Sequence, residues 1–172
     1  DNSFELEAQL SGTNKEYYLN EIKSLIDQAS FTYTRQREML VLGHAILTGE
    51  PLINNEPFAV VLADDLCDCK HQGVLSQMIQ VYNKYQCSIV AIQEISMSET
   101  NKYGIIEGEL IDGSDNIYRV NDMIEKPNKE NAPSNLAIIG RYILTPDIFS
   151  ILKQIKPDKN NEIQITDALL VQ

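Results

Sequence analysis

Two adjacent carboxylates, Asp64 and Asp65, follow the unbroken apolar run Phe58-Ala59-Val60-Val61-Leu62-Ala63. A short run with no polar alternation reads as a strand buried on both faces. In open α/β sheets, ligands sit beyond the carboxyl ends of the strands. Two acids there can hold a hard divalent cation such as Mg²⁺, which takes few protein carboxylates and fills its shell from substrate phosphates and water. The plainer alternative is that one Asp caps the next turn and the other is solvated. Glu125-Lys126-Pro127 ends a second β-prone stretch. Its Glu can accept hydrogen bonds from sugar hydroxyls and its Lys can meet a phosphate as a point charge. Pro127 biases Lys126 towards an extended backbone. An ordinary surface ion pair before a turn is the alternative reading.

Three glycines sit where a ligand could approach backbone. Gly104 opens a strand after Tyr103, and a missing side chain there lets a ligand come close. Gly140, before Arg141, interrupts a strand either for that reason or as a bulge. Gly43 and His44 lie where a helix begins, and helix N-termini offer free N–H groups to phosphates or polar bases; His44 itself reads as a packed helix residue. Glu162-Ile163-Gln164-Ile165-Thr166-Asp167 opens a last helix, either orienting a ligand through its Glu and Gln or simply capping through Thr166 and Asp167. Cys67-Asp68-Cys69-Lys70-His71 invites a zinc reading, but its spacing is short and a second ligand pair is lacking, so reduced thiols are the better account. No nucleophile triad, P-loop or dinucleotide fingerprint is present.

Helical spacing of apolar residues covers 3–10 and 14–28 (Leu19, Ile22, Leu25, Ile26), Met39 to Leu47 and Gly73 to Tyr85. Phe31-Thr32-Tyr33-Thr34 alternates and reads as a strand, and Ser88 to Ile92 as a second buried strand. Alternating strands and helices imply right-handed crossovers and a mainly parallel sheet. The pattern then changes to an antiparallel hairpin, 104–111 and 116–124, around Asp112-Gly113-Ser114-Asp115. A strand follows over 136–144, then a helix over 146–152 with Pro146 in its first turn. The expected fold is mixed α/β.

At 172 residues with 43% hydrophobic content, the chain can bury a real core. A formal charge of −11 argues against a nucleic-acid partner. No apolar run approaches the roughly 20 residues of a membrane span, and the first residues lack signal-peptide character. A cytoplasmic protein is expected. The chain has no initiator Met and ends inside the apolar helical pattern Ala168-Leu169-Leu170-Val171-Gln172, so it reads as a piece of a longer protein.

Individually short, these motifs gain specificity from their order. Phe4-Glu5-Leu6-Glu7, Arg35-Gln36, Leu42-Gly43-His44-Ala45, Leu62-Ala63-Asp64-Asp65, Tyr103-Gly104, Glu125-Lys126-Pro127, Ser134 to Tyr142 and Glu162 to Ala168 occur in sequence. Together they resemble the bacterial UTP–glucose-1-phosphate uridylyltransferases, nearly along the whole chain. The resemblance implies a glycosyltransferase-A-like nucleotidyltransferase fold, use of Mg²⁺, and formation of UDP-glucose and pyrophosphate from UTP and glucose 1-phosphate by a homo-oligomer. By position, Asp64 would hold the metal and Lys126 the sugar phosphate, the two catalytic groups. Gly104, Glu125, Asn135 and Gly140 would contact the sugar, and Gln36, Val41 and Gly43 the nucleotide, Gln36 meeting the uracil. A neighbouring enzyme using dTTP, ATP or CTP, or a catalytically dead sugar-nucleotide-binding module, are the alternatives.

Two departures stand out. The family's Gly-rich triphosphate loop, its Lys-Pro-rich stretch and a second metal-binding Asp are absent from residues 1–172, so the domain is expected to be incomplete and inactive alone. The family pattern reads Gly-Leu-Gly-His-Ala where this chain has Val41-Leu42-Gly43-His44-Ala45. A branched Cβ restricts the backbone and crowds the base, so weakened UTP binding is expected.

Overall fold

A computed structural model describes residues 4–69 and 72–172. Contacts divide the chain between Arg35 and Gln36 into two compact units. The first holds helices α1 (Phe4–Leu10) and α2 (Glu16–Asp27). Thr13 joins them: its hydroxyl donates to the Leu10 carbonyl at 2.7 Å and accepts from the Lys15 N–H at 3.2 Å. Leu19 is buried and Lys23 pairs with Glu7 at 3.3 Å; the side chain of Leu25 lies outside what is described. Residues 31–34 form no strand. Their alternation is a preference for a half-buried pleated surface, and no strand among the described residues pairs with them, leaving Phe31 and Tyr33 exposed.

The second unit contains α3 (Val41–Gly49), β1 (Phe58–Val61), α4 (Val74–Tyr85), β2 (Ile89–Glu94), β3 (Gly104–Leu110), β4 (Tyr118–Glu125), β5 (Leu136–Leu144), α5 (Ile148–Leu152) and α6 (Ile165–Val171). The fold is mixed α/β, as its sequence periodicities require. The expectation of a mainly parallel sheet needs correction, because every hydrogen-bonded strand pair described is antiparallel. β1, α4 and β2 do make a crossover between strands of like direction. β5, the last strand in the chain, inserts between them: Ile143 pairs with Ala59 of β1 on one edge and with Ile89 of β2 on the other. The hairpin of β3 and β4 pairs from Gly104↔Glu125 to Leu110↔Tyr118, with an irregularity between Glu107 and Gly108.

β1 is also less enclosed than its composition suggests. Its residues alternate between half-buried and exposed, and Val61 is 53% exposed. Apolar continuity does not distinguish a strand covered on both faces from one covered on a single face. The main core lies between the sheet and helices α3, α5 and α6, where Ile106, Leu144, Ile148, Leu152 and Ala168 are fully enclosed and Phe58 stacks on Phe149 at 5.1 Å. A smaller cluster of Met78, Ala91 and Ile143 fixes α4, whose Ile79 is exposed.

The sheet has one interruption that matters for the site. β1 and β3 run in the same direction along the same edge of β5, β1 pairing with residues 141–144 and β3 meeting it at Ala137. Between them, the edge of β5 around Gly140 is left to the loop that follows β1. On the opposite edge β5 advances four residues, Tyr142 to Ile138, while β2 advances two, Val90 to Ile92. The bulge read from Gly140 is therefore real.

Candidate functional site

The end of β1 and the start of β3 face each other across that interruption and leave a cleft of about 440 Å³. Asp64 and Asp65 come from the loop after β1, Tyr103 and Gly104 from the start of β3, Glu125 and Lys126 from the end of β4, Gly140 and Tyr142 from β5, Leu42 from α3 and Thr166 from α6. Asp64, Gly104, Glu125, Lys126 and Gly140, separated by up to 76 positions in sequence, thus line one cavity. A larger concavity of about 840 Å³ against α4, β2 and the hairpin is mostly apolar.

The two aspartates divide their work. The Asp65 carboxylate accepts the Gly140 N–H at 2.7 Å, and its main-chain carbonyl accepts from Arg141 Nη2. Asp64 is exposed and takes no hydrogen bond or ion pair among the described residues. Gly140 is needed because a Cβ there would meet Leu62 Cβ at 2.7 Å, and the Leu62 N–H donates to the Gly140 carbonyl at 2.9 Å.

Across the cleft, Glu125 is held on one oxygen by the Thr166 hydroxyl at 3.3 Å, and its other oxygen lies 3.7 Å from Lys126 Nζ. A Cβ on Gly104 would lie 3.1 Å from the Thr166 methyl and 3.2 Å from the same Glu125 oxygen. The Lys126 side chain is 59% exposed. Its backbone is not extended as Pro127 suggests: φ is 47°. The local preference of a residue before proline yields here to tertiary bonds. The Lys126 N–H donates to the Tyr103 carbonyl at 3.0 Å, and the buried Thr100 hydroxyl donates to the Pro127 carbonyl at 3.1 Å. Left-handed backbone at a side-chain-bearing residue persists only where its surroundings impose it. Burial, with Glu125 and Asp65 nearby, pushes the Tyr142 phenol up to about 12, so it stays neutral and keeps its hydroxyl hydrogen.

The residues assigned to the nucleotide form a different group at the start of α3. Gln36 Nε2 donates to the Val41 carbonyl at 3.2 Å and lies 2.9 Å from His44 Nδ1. Val41 has φ 53°, a conformation that glycine takes freely and a β-branched residue does not. Gly43 does not offer a free donor: its N–H bonds the Ile163 carbonyl at 3.0 Å, and a Cβ on it would meet that oxygen at 2.4 Å. The glycine serves the packing of α3 against residue 163. Asn135 also lies outside the cleft, where its side chain donates to the Ile95 carbonyl at 3.4 Å and its own carbonyl accepts the Ile95 N–H; it fastens the segment before β5.

Thr166, Tyr142, Thr100 and Arg141 carry weight that sequence reasoning missed. Thr166 in a first helical turn reads as a cap, yet α6 begins at Ile165 with no side-chain cap and Thr166 turns to Glu125. Gln164 does not reach the cleft, bonding Glu162 at 2.8 Å. Cys67, Cys69 and Cys87 are free thiols; Lys70 and His71 of the zinc reading lie outside the described residues. Among the described residues no group of three or more His, Cys, Asp or Glu could hold a metal. No described helix is long and apolar enough to cross a membrane.

A nucleotidyl transferase family model matches residues 3–171. The chain is similar to UTP–glucose-1-phosphate uridylyltransferase of Pseudomonas aeruginosa, 63% identical over 173 residues that cover 100% of this chain and 61% of the relative. Among solved structures it is similar to apo UDP-glucose pyrophosphorylase, at 60% identity and TM-score 0.90, covering 100% of this chain and 63% of that one. It is also similar to a UDP-glucose pyrophosphorylase complexed with UDP-glucose, at 58% identity and TM-score 0.88, covering 99% and 65%. The chain therefore spans about three-fifths of the length of these relatives.

Proposed function

Since the chain belongs to the nucleotidyl transferase family, we propose that it carries the sugar-phosphate half of an enzyme that transfers a uridylyl group from UTP to glucose 1-phosphate. The observation that supports this most is the cleft itself: an unengaged carboxylate, Asp64, faces a cavity also lined by the carboxylate and ammonium of Glu125 and Lys126 and by glycine backbone at 104 and 140. A site with these groups and no side-chain nucleophile suits phosphoryl chemistry, where positioning and charge neutralisation supply most of the catalysis.

In this reading an oxygen of glucose 1-phosphate attacks the α-phosphorus of UTP in line. The new P–O bond forms as the bond to the β-phosphate bridging oxygen breaks, and pyrophosphate leaves with the electron pair. Lys126 neutralises the sugar phosphate. Glu125, oriented by Thr166, accepts from sugar hydroxyls, and Gly104 and Gly140 let the sugar lie against the strands. Gln36 and Val41 border the base. Asp64 would hold Mg²⁺, which when bound offsets charge on the phosphates. The intact protein acts in the cytoplasm as a homo-oligomer.

The test is UDP-glucose formation by the intact protein with Mg²⁺ and a panel of UTP, dTTP, ATP and CTP. UTP-dependent turnover that falls about 100-fold or more in Asp64→Asn, on the scale of losing one charge-stabilising group, supports the reading. Preference for another nucleotide, or binding without turnover, overturns it.

A further inference from the structure

Arg141 presents a puzzle that the proposed chemistry leaves open. It is only 9% exposed, and no carboxylate pairs with it among the described residues. A guanidinium is seldom buried without a carboxylate partner, because desolvating the charge is costly. Its donors go to main-chain carbonyls instead: Nη1 to Leu62 at 2.9 Å and to Gly140 at 2.7 Å, and Nη2 to Asp65. Two of those three carbonyls belong to the loop after β1, one on each side of the Ala63-Asp64 turn.

Asp65 acts on the same loop in the opposite sense. Arg141 reaches from β5 to the loop, whereas the Asp65 carboxylate reaches from the loop to the Gly140 N–H on β5 at 2.7 Å. The Leu62 N–H adds a fourth bond between loop and strand, to the Gly140 carbonyl. Leu62 and Asp65 are therefore both pinned to the bulge at Gly140, and the residues left between them are Ala63 and Asp64. A turn fastened at both ends leaves its tip little freedom, and that tip is the unengaged carboxylate of the cleft.

We infer that Arg141 and Asp65 form a reciprocal clamp that positions Asp64, with Asp65 acting as a hydrogen-bond acceptor rather than as a metal ligand. The inference rests on the reading of Asp64 as the metal carboxylate. Arg141 suits the role because a planar fork bonds several carbonyls at fixed angles, which a lysine ammonium on a flexible stem does not.

The experiment measures Mn²⁺ binding to the intact protein by electron paramagnetic resonance titration in the presence of UTP, alongside steady-state kinetics. Asp64→Asn abolishes binding. Asp65→Ala weakens it roughly tenfold or more, the scale of losing a group that supports a metal ligand. Asp65→Asn recovers most of that loss, because a carboxamide oxygen still accepts the Gly140 N–H. Arg141→Lys weakens Mn²⁺ binding as Asp65→Ala does, and leaves the KM for glucose 1-phosphate close to its starting value because Glu125 and Lys126 are held by other bonds. If Arg141→Lys does not fold, the two Asp65 variants carry the test. Loss of binding in Asp65→Asn as complete as in Asp64→Asn, or wild-type binding in Asp65→Ala or Arg141→Lys, overturns the clamp. Absence of Mn²⁺ binding in the unmodified protein overturns the reading of Asp64 beneath it.

Discussion

The cleft and the start of α3 solve opposite problems. The cleft gathers residues from positions 42 to 166, and its supports are satisfied by partners far away in sequence: Thr166 by Glu125, Asp65 by Gly140, Arg141 by Leu62. What remains open there is Asp64 and Lys126. At the start of α3, Gln36, Val41 and His44 lie within nine residues and satisfy one another, while Gly43 is committed to Ile163, 120 positions away. The first region presents to a ligand the unengaged Asp64 carboxylate and a Lys126 side chain that is exposed although it pairs with Glu125. The second presents a closed local network, and a base that is to meet the Gln36 amide nitrogen must displace Val41 or His44. Both regions contain a left-handed residue with a side chain, Lys126 and Val41, and the first is braced by a buried side-chain bond, from Thr100 to Pro127.

The largest effect expected from disturbing this contrast is on α3. Gly43→Ala places a methyl group 2.4 Å from the Ile163 carbonyl, a backbone atom with little room to yield. The helix must shift, at a cost of about 1–3 kcal/mol, read as a fall in Tm or urea midpoint. An unchanged midpoint would show that the packing against residue 163 is loose.

The cleft should reveal itself at alkaline pH. The folded protein holds the Tyr142 proton up to about 12, against an ordinary value of 10.0. Its contribution is fully present below pH 10 and is lost as pH rises from there towards 12, because the unfolded chain releases the proton first. Two pH units correspond to about 2–3 kcal/mol at most. Tyr142→Phe should flatten that part of the curve of stability against pH. A parallel decline in both proteins would place the phenol in water.

Thr100→Val tests the brace. It leaves the buried Pro127 carbonyl without its donor, a loss of about 1–2 kcal/mol, and frees Lys126 to relax from φ 47°. The KM for glucose 1-phosphate should rise several-fold in the intact protein while the KM for UTP holds. Equal changes in both would mean that Thr100 supports the fold without favouring the sugar side.

How much of this was legible in the sequence follows from which bonds are local. The hairpin, β5, α4 and the bulge at Gly140 were readable because periodicity and turn residues decide them. The neighbours of β5 were not, since strand order depends on pairings between residues 32 to 86 positions apart. Asp64, Gly104 and Glu125 were read from motifs at strand ends, and Gly140 from an interruption within a strand. Thr166 was missed because a threonine in a first turn looks the same whether it caps its own helix or bonds a glutamate 41 residues away. Lys126 was misjudged for the same reason: a dipeptide preference cannot anticipate Thr100.

Val41 gives the smallest effect and the sharpest comparison. The resemblance places glycine at this position, and the backbone here has kept a glycine's angle, φ 53°, under a branched side chain. Left-handed backbone costs an L-residue about 1–2 kcal/mol; glycine avoids that cost but gives up about 0.5–1 kcal/mol through its freer unfolded chain. Val41→Gly should therefore change stability by less than about 1 kcal/mol in the stabilising direction, because the two terms nearly cancel. The informative measurement is UTP affinity in the intact protein, where removing the branched Cβ should tighten binding by opening the space beside Gln36. No gain in affinity, with stability unchanged, would mean that the Gln36–Val41–His44 network and not the valine side chain limits access to the base.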